Sequence, residues 1–373
     1  MRIVLFAILV QACLLVVCDT DYTSIKGSNY FERPKDTSIA DPYPFIIKEK
    51  YSKGLNFLAF GDWGQRGNAT GQPQVAQGMK IWADKYKVDF LLNLGDSFYQ
   101  DSGSTVPFND TKDHEGVLSI NDPKWKTYWL DEYGGNLRKI PWYSVAGNHD
   151  WYTNVTAEVD YFWDVDWRFF LPSLYYVRRV YFGPKNTCAV FIHIDTDPYY
   201  YNYTSYNSTN NLKKTLLQLK LNEVSEIKSR LKWIEDQLIK AQDADWIFVV
   251  GHHPLEGFCQ LQSPNYYLMY LLPPVFKKYG VSAYFNGHSH ELSYSAANST
   301  SPVTYFCSGA GGATLGEGCG GVTWTAGTTF GFLYVNISDD GKDLYFEYVN
   351  CNQTNTPPKV LKSGNLKSRK YKS

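Results

Sequence analysis

The sequence predicts an α/β fold built as one domain over residues 51–352. Apolar runs with the length of strands recur from Leu55 onward, and helical patterns lie between them. Several of these runs are apolar throughout, as expected for strands that are covered on both faces. No internal repeat and no linker divides the chain. The alternation predicts layers of helices and strands, with later strands adding antiparallel edges.

Nine runs carry the strand prediction. In order along the chain they are LNFLAF, VDFLLNL, WYSVA, CAVFIHI, DWIFVV, VSAYFN, VTYFC, GFLYVNI and DLYFEYV. The clearest helical pattern spans residues 225–242, where apolar residues recur three and four positions apart. Ser225 is predicted to cap that helix.

The N-terminus has the pattern of a secretory leader. One Arg precedes an apolar stretch that ends at about Val17, and such a stretch is shorter than the ~20 residues that span a bilayer. Residues 1–18 are therefore predicted to be a signal peptide, with an uncleaved anchor as the alternative. Residues 19–50 are predicted to form an ordered arm or a loose leader. No later stretch approaches membrane length, so we expect no membrane span after signal removal.

Eight N-x-S/T sequons agree with the secretory route. They predict a glycoprotein that is secreted or lysosomal/vacuolar. The candidate acceptors are Asn68, Asn109, Asn154, Asn202, Asn207, Asn298, Asn336 and Asn352.

Cysteine usage and charge narrow the class further. Five cysteines remain after the leader, so at most two disulfides can form, and the sequence does not choose the pairing. The absence of C-x-x-C argues against a zinc ribbon or a thioredoxin-like site. A formal net charge of −1 gives no electrostatic case for nucleic acid or an anionic membrane.

Three segments have an unusual composition. The basic, polar tail at 353–373 is predicted to be a disordered, solvated end, with a binding tail as the alternative. The Gly-rich stretch 309–321 lacks the G-K-[ST] ending of a P-loop and is predicted to be a flexible loop near the site. The Tyr- and Asn-rich stretch 197–210 is predicted to be an exposed glycosylated loop that shades a cleft.

Five short motifs each follow an apolar strand: FGDWG, LGDSFY, AGNHD, VGHHP and NGHSH. Functional groups gather beyond the carboxyl ends of strands in open α/β sheets. These motifs would bring together oxygen and imidazole donors without a thiolate, a mixture that suits iron, manganese or zinc. The donors are Asp62, Asp96, Tyr99, Asn148, His252, His288 and His290.

The order of these motifs resembles that of the calcineurin-like metallophosphoesterases, whose blocks run G-D, G-D, G-N-H-[DE], G-H-x-P and G-H-x-H. Tyr99, three residues after the second Asp, narrows the resemblance to the purple acid phosphatases. The short chain and the motif sequences FGDWG and GDSFY look most like those of the tartrate-resistant branch, and the resemblance covers roughly residues 55–350. The resemblance implies a four-layer α/β/β/α sandwich of two mixed sheets, and a metallophosphoesterase catalytic domain at 51–352.

The resemblance also implies a role for each donor. Fe(III) would be held by Asp62, Tyr99 and His290, and a divalent ion (Fe, Zn or Mn) by Asn148, His252 and His288. Asp96 would bridge the two ions, together with a hydroxide. A Tyr with an ordinary pKa of ~10 binds as phenolate only to a strong Lewis acid such as ferric iron, and the protein would be coloured.

The implied function is an acid phosphatase that acts on small phosphate monoesters or phosphoproteins, expected to be a monomer. With one hydroxide bound, the centre would carry a net charge of about +1, which attracts an anionic ester. Neutral Asn148 maintains that charge, since an Asp there would cancel it.

Further residues are predicted to act around the donors. His149 is the catalytic candidate and would contact the phosphate or protonate the leaving group, with Asp150 orienting its ring. The histidine usual after G-H-x-P in this branch is missing, so either Glu256 or His253 replaces it or protonation is weaker. Ser97 stands where an Asn is common.

Two other functions compete with this reading. One is a phosphodiesterase or nucleotide diphosphatase on the same scaffold, against which Tyr99 argues. The other is an iron glycoprotein with a redox or binding role, for which the missing histidine leaves room. Among the remaining polar residues, His193 is predicted to be a core residue, His114 to be solvated and Asp195 to be structural.

Overall fold

Two mixed β-sheets form the centre of the protein. The computed structural model describes residues 16–17, 33–35, 38–106, 109–110, 112–200, 223–257, 265–352 and 357–371. Its strands are β1 Val16–Val17, β2 Ile46–Tyr51, β3 Leu55–Phe60, β4 Phe90–Asn93, β5 Asn109–Asp110, β6 Asp113–His114, β7 Trp142–Ser144, β8 Phe169–Phe170, β9 Tyr176–Phe182, β10 Thr187–His193, β11 Trp246–Val250, β12 Ala283–Asn286, β13 Leu292–Ser295, β14 Thr304–Ser308, β15 Trp324–Ala326, β16 Gly331–Ile337, β17 Asp343–Asn350 and β18 Lys359–Lys367. All nine predicted strands are present.

The larger sheet has the order β1-β2-β9-β10-β11-β12-β14-β13-β15, and the smaller sheet has the order β18-β17-β16-β3-β4-β7-β8. Parallel strands occupy the middle of each sheet: β10, β11, β12 and β14 in the larger, and β3, β4 and β7 in the smaller. Antiparallel partners flank them, such as β16 beside β3 and β13 beside β14. These central parallel strands are buried because they come from the runs that are apolar throughout.

The two sheets pack face to face through aromatic side chains. The ring of Phe57 on β3 lies 5.8 Å from Phe191 on β10 and 5.9 Å from Phe285 on β12. Edge-to-face contacts of this kind stabilise beyond the area that they bury. Phe306 and Phe346 continue the contact, with ring centroids 4.9 Å apart. The core therefore lies between the sheets.

Helices cover the outer faces. They are α1 Gln72–Tyr86, α2 Asn148–Thr153, α3 Val155–Asp164, α4 Asp197–Tyr200, α5 Val224–Lys240 and α6 Tyr266–Tyr279. On the smaller sheet, Trp82 of α1 packs against Phe332 of β16. On the larger sheet, Phe276 of α6 packs against Tyr284 of β12. The predicted α/β class with two mixed sheets is confirmed.

The helix predicted at 225–242 is α5, which begins one residue earlier at Val224. Ile227, Ile234 and Leu238 are buried, as their spacing predicts. The cap assignment was wrong: Ser225 lies inside the helix, and the extended residue before it is Glu223.

The predicted disorder of the tail was wrong for most of its length. Residues Lys359–Lys367 form β18, which pairs antiparallel with β17 and closes that edge of the smaller sheet. Lys367 Nζ lies 2.5 Å from Asp343 Oδ1, and Ser368 Oγ donates to the carbonyl of Asp245. The strand was not predicted because its composition is basic and polar. The side chains of an edge strand stay in solvent, where Lys is favourable.

The predicted start of the domain at residue 51 was also too late. Strand β2, Ile46–Tyr51, runs parallel to β9 within the larger sheet, so the last part of the predicted arm belongs to the domain. Strand β1, Val16–Val17, pairs with β2 and falls within the predicted leader. Among the described residues, no helix combines the length and the apolar composition that a bilayer crossing needs.

The candidate glycosylation sites differ in exposure. Asn68, Asn298 and Asn352 are exposed, and Asn154 is half-buried. Asn336 lies within β16 and donates to Asn56 Oδ1 at 3.0 Å, so it does not lie on a loop. Asn202, Asn207 and the side chain of Asn109 lie outside the described residues.

Of the cysteines, Cys319 is in a disulfide. Cys188, Cys307 and Cys351 are free and buried. Cys259 lies outside the described residues.

Candidate metal centre

Strand ends from both sheets converge on one cluster of polar side chains. The first three motifs follow β3, β4 and β7 of the smaller sheet, and the last two follow β11 and β12 of the larger sheet. All seven predicted donors are at least nine-tenths buried. Buried charges at this density require paired or metal-bound partners.

Three of the seven donors have an unusual backbone conformation. Asp62, Asp96 and His288 have φ of 59°, 51° and 64°, in the left-handed region that non-glycine residues rarely adopt. Such conformations cost of order 1–3 kcal/mol each and concentrate at functional sites. Each of these residues lies in the turn directly after a strand, and the turn aims its carboxylate or imidazole at the cluster.

One group of donors surrounds the hydroxyl of Tyr99. Its Oη lies 3.0 Å from Asp62 Oδ1, 2.9 Å from Asp96 Oδ2 and 3.2 Å from His290 Nε2. His290 Nε2 is in turn 3.3 Å from Asp62 Oδ1. Neighbouring ligands at ~2.1 Å from one ion lie about 3 Å apart, so these four atoms fit a single metal ion.

A second group lies beside the first. Asn148 Oδ1 is 3.0 Å from His288 Nδ1, which is 3.3 Å from His252 Nε2. His252 Nε2 is also 3.3 Å from Asp96 Oδ2. Asp96 Oδ2 therefore belongs to both groups, as a carboxylate that bridges two ions would. The donor set fits two metal ions.

Two histidines are fixed by hydrogen bonds at their other ring nitrogen. His252 Nδ1 lies 2.8 Å from the carbonyl oxygen of Leu94, and His290 Nδ1 lies 2.6 Å from that of Thr314. A carbonyl can only accept, so each Nδ1 carries a proton, and Nε2 is the ring nitrogen that faces the cluster and is available to a metal ion. Thr314 lies in the Gly-rich stretch 309–321, so this stretch is near the site, as predicted. The contact with the Thr314 carbonyl holds the imidazole of His290 in place.

Two glycines leave room for the carboxylates. A Cβ at Gly147 would lie 2.3 Å from Asp96 Oδ1, and one at Gly287 would lie 2.4 Å from Asp62 Oδ2. Cβ atoms essentially never come this close to another heavy atom, so a side chain at either glycine would displace the carboxylate. The glycine of each G-N-H and G-H-x-H motif is therefore required sterically by the donor opposite it.

The electrostatics of the cluster favour an ionised Asp96. Burial alone would raise the pKa of Asp96, but His252 and His149 outweigh it and hold that pKa well below its ordinary value. Burial and the charges of Asp62 and Asp96 raise the pKa of Tyr99 well above its ordinary value. Tyr99 in these surroundings ionises only when a strong Lewis acid binds its oxygen.

His149 lies beside the cluster with its side chain 23% exposed, so it can reach a bound ligand. Its Nδ1 is 2.6 Å from Glu115 Oε2, and its Nε2 is 3.9 Å from Asp96 Oδ2. Burial alone would lower the pKa of His149, but Glu115 and Asp96 outweigh it and raise that pKa to about 9.

The role predicted for Asp150 was wrong. Its carboxylate accepts from the backbone N–H groups of Asp96, Ser97 and Gly147 at 2.8–2.9 Å. Asp150 therefore holds the Asp96 turn in place. The ring of His149 is instead oriented by Glu115, a residue that no motif in the sequence singles out.

The two candidates for the missing histidine occupy different places. His253 Nδ1 lies 2.8 Å from Thr196 Oγ1, and its ring is 4.5 Å from that of the donor His288. Glu256 is half-buried and lines a small pocket with Tyr305 and Cys307. Of these two residues, only His253 adjoins the cluster in a described contact.

The stretch 197–210 was predicted to be an exposed loop, and its described part differs. Asp197, Pro198 and Tyr199 are buried in α4. Tyr200 ends that helix, and its ring stacks on His253 at 4.0 Å and meets His288 edge-to-face at 5.3 Å. It does shade the cluster; residues 201–210 lie outside the described residues.

Three other residues have predicted roles outside the site. His193 is fully buried and stacks on Tyr176, as predicted for a core residue. The prediction that His114 is solvated was wrong, because it is buried and its Nε2 lies 3.2 Å from Asp122 Oδ2. Asp195 is buried and accepts from the backbone N–H of Asp197, which agrees with a structural role.

The fold and the donor set together define a metallophosphoesterase. The calcineurin-like phosphoesterase family matches residues 55–292, and the chain belongs to that family. Human tartrate-resistant acid phosphatase type 5 is 30% identical over 266 residues, which cover 69% of this chain and 73% of the relative. Purple acid phosphatase 7 of Arabidopsis thaliana is 29% identical over 275 residues, or 73% of this chain and 74% of the relative.

Solved structures share the fold. A Plasmodium protein titled GAP50, the anchor in the inner membrane complex, aligns with a TM-score of 0.65 at 22% identity over 85% of this chain and 90% of that chain. A purple acid phosphatase from seeds of yellow lupin aligns with a TM-score of 0.52 at 16% identity, over 85% of this chain and 54% of that one. The predicted resemblance is confirmed, and so is the class of enzyme, a phosphatase.

Proposed function

We propose that the protein is an acid phosphatase that hydrolyses phosphate monoesters at an Fe(III)–M(II) centre, where M is Fe, Zn or Mn. The observation that carries this proposal is the position of Asp96 Oδ2, 2.9 Å from the Tyr99 oxygen and 3.3 Å from His252 Nε2. Asp62, Tyr99 and His290 would hold the ferric ion. Asn148, His252 and His288 would hold the divalent ion.

When bound, the two ions supply Lewis-acid activation of the phosphate and of the attacking water. The chain's own residues prepare the site for an anion. Asp62, Asp96 and an ionised Tyr99 neutralise part of the metal charge, while neutral Asn148 leaves the centre slightly positive. His149, held by Glu115 and partly exposed, is placed to donate a hydrogen bond to the phosphate or a proton to the leaving group.

We propose phosphate monoesters or phosphoproteins as substrates, and a secreted or lysosomal setting. Ferric iron acidifies bound water more strongly than zinc, which suits catalysis in acid. Support for the setting comes from the N-terminal pattern and from the three sequons whose Asn is exposed. The relatives named as acid phosphatases support the reaction.

The test compares wild type with Asp96→Asn, using p-nitrophenyl phosphate hydrolysis between pH 4 and 8. Asp84→Asn is the matched control, because Asp84 is exposed on α1. We expect wild type and Asp84→Asn to show the same maximal rate of hydrolysis at acid pH. The rate of Asp96→Asn at that pH should be at least about 100-fold lower. Metal content and a visible phenolate–iron absorption band are measured on the same samples. Full activity in Asp96→Asn would overturn the proposal.

A binding role is the second candidate, because the solved neighbour with a TM-score of 0.65 is titled an anchor. The burial of all seven candidate donors supports catalysis, since a purely binding role does not require a metal centre. Stoichiometric metal with negligible hydrolysis would favour the binding role. A preference for bis(p-nitrophenyl) phosphate over the monoester would favour the phosphodiesterase alternative.

A further inference from the structure

We propose that the hydroxyl of Tyr152 is a positioning group for the divalent ion, because it fixes which end of the Asn148 side chain faces the cluster. This inference rests on the proposed two-ion centre. It concerns a residue that none of the five motifs includes.

Tyr152 and Asn148 lie four residues apart on α2, so their side chains are neighbours on one face of the helix. Asn148 Nδ2 donates to Tyr152 Oη at 3.0 Å. The other end of the same amide, Oδ1, lies 3.0 Å from His288 Nδ1. Both ends of the Asn148 amide are thus specified, the nitrogen by Tyr152 and the oxygen by the cluster.

The orientation matters because an amide has two chemically different ends. Only the oxygen has a lone pair suited to a metal ion, and a half-turn about the last torsion would present an NH₂ group instead. That torsion is broad and weakly restrained by sterics alone. A carboxylate would need no such restraint because its two oxygens are equivalent. The neutral ligand that keeps the centre positive therefore needs a partner for its nitrogen.

Replacing Tyr152 by Phe isolates the hydroxyl. The Tyr152 ring packs against the ring of His149, with centroids 4.9 Å apart, and Phe retains this contact. Tyr345→Phe is the matched control: its hydroxyl, on β17 of the smaller sheet, donates to Glu347 Oε1 at 2.8 Å. Both variants lose one tyrosine hydroxyl from a half-buried side chain.

The experiment measures the Kd for Zn²⁺ of protein that holds only the ferric ion, by competition with a chelator. We expect Tyr152→Phe to bind Zn²⁺ about 10-fold or more weakly, the usual effect of losing a hydrogen bond to a ligand. The phenolate–iron absorption band and the Tm should not change. Tyr345→Phe should bind Zn²⁺ as wild type does. An unchanged Kd in Tyr152→Phe, within twofold, would overturn the proposal.

A double-mutant cycle separates orientation from a merely structural role. In an Asn148→Asp background the two ligand oxygens are equivalent, so adding Tyr152→Phe should leave the Zn²⁺ Kd within about twofold. If Tyr152→Phe still weakens Zn²⁺ binding in this background, Tyr152 acts by stabilising the helix, and the proposal is wrong. If wild type itself takes up no Zn²⁺ beside iron, the two-ion centre fails first, and that outcome is distinct from an unchanged Kd in the variant.

Discussion

Glu115 Oε2 lies 2.6 Å from Nδ1 of His149, although the two residues are 34 positions apart in the chain. Glu115 is buried, and the same oxygen accepts from the backbone N–H of Gln100 at 3.1 Å. The carboxylate therefore has a fixed position and holds the imidazole with Nε2 turned to the Asp96 side. This pair gives the candidate catalytic histidine a defined orientation.

Replacing Glu115 by Gln should therefore lower kcat without removing metal. Gln keeps the size of Glu but can present its NH₂ group to Nδ1, which loosens the orientation of His149. We expect kcat to fall about 10-fold, with metal content unchanged. In a His149→Ala background the same change should have little further effect. An equal loss in both backgrounds would contradict the coupling.

Gly287 should be intolerant of any side chain. Its Cβ would lie 2.4 Å from Asp62 Oδ2, and its φ is outside the left-handed region, so the effect is steric. We expect Gly287→Ala to lose metal and to lower activity at least about 100-fold. Gly134→Ala is the control, because nothing lies within 4 Å of the Cβ there. Metal analysis after dialysis checks the result, and retained stoichiometric metal in Gly287→Ala would contradict it.

Ionisation of the Asp89 carboxyl should lower the free energy of unfolding as pH rises from 4 to 7. Burial, with Glu49 adding repulsion, raises the pKa of Asp89 to about 7, although the Asn56 backbone N–H opposes the shift. The unfolded value is ~3.9, so between these pH values the folded state binds the extra proton and stability falls as pH rises. The stabilisation is complete below pH ~4 and is lost above pH ~7.

The measurement is Tm at pH 5 and pH 8 for wild type and Asp89→Asn. We expect the variant to lose less Tm between the two pH values than wild type loses. Asp84→Asn, at an exposed position on α1, should show the wild-type difference. Equal pH dependence in Asp89→Asn and wild type would rule out this assignment.

Truncation after residue 356 should destabilise the fold. It removes β18, exposes the edge of β17 and uncovers Phe346, against which Gly364 packs. We expect a lower Tm and more aggregation at neutral pH, as a bared strand edge favours. Removal of residues 372–373 alone is the control. An unchanged Tm in the longer truncation would show that β18 contributes nothing to stability.

The local sequence determined much of this protein. Apolar runs such as CAVFIHI and DWIFVV become central parallel strands. This outcome was predictable because a run that is apolar on both faces has to be covered on both, whichever strands pair with it. The convergence of the candidate donors was predictable for a related reason. Each follows a strand, and Asp96 and Tyr99 are close in sequence, so the motif itself sets their spacing.

Only the tertiary structure decided the partners of the polar residues around these donors. Glu115 reaches His149, and Asp150 turns to the Asp96 backbone, through contacts between loops that are distant in sequence. The basic tail became β18 because β17 offered an unpaired edge. Strand and helix periodicity depends on each residue's own neighbours in sequence. The pairing of a buried polar group depends on which loops the two sheets bring together, and no local pattern records it.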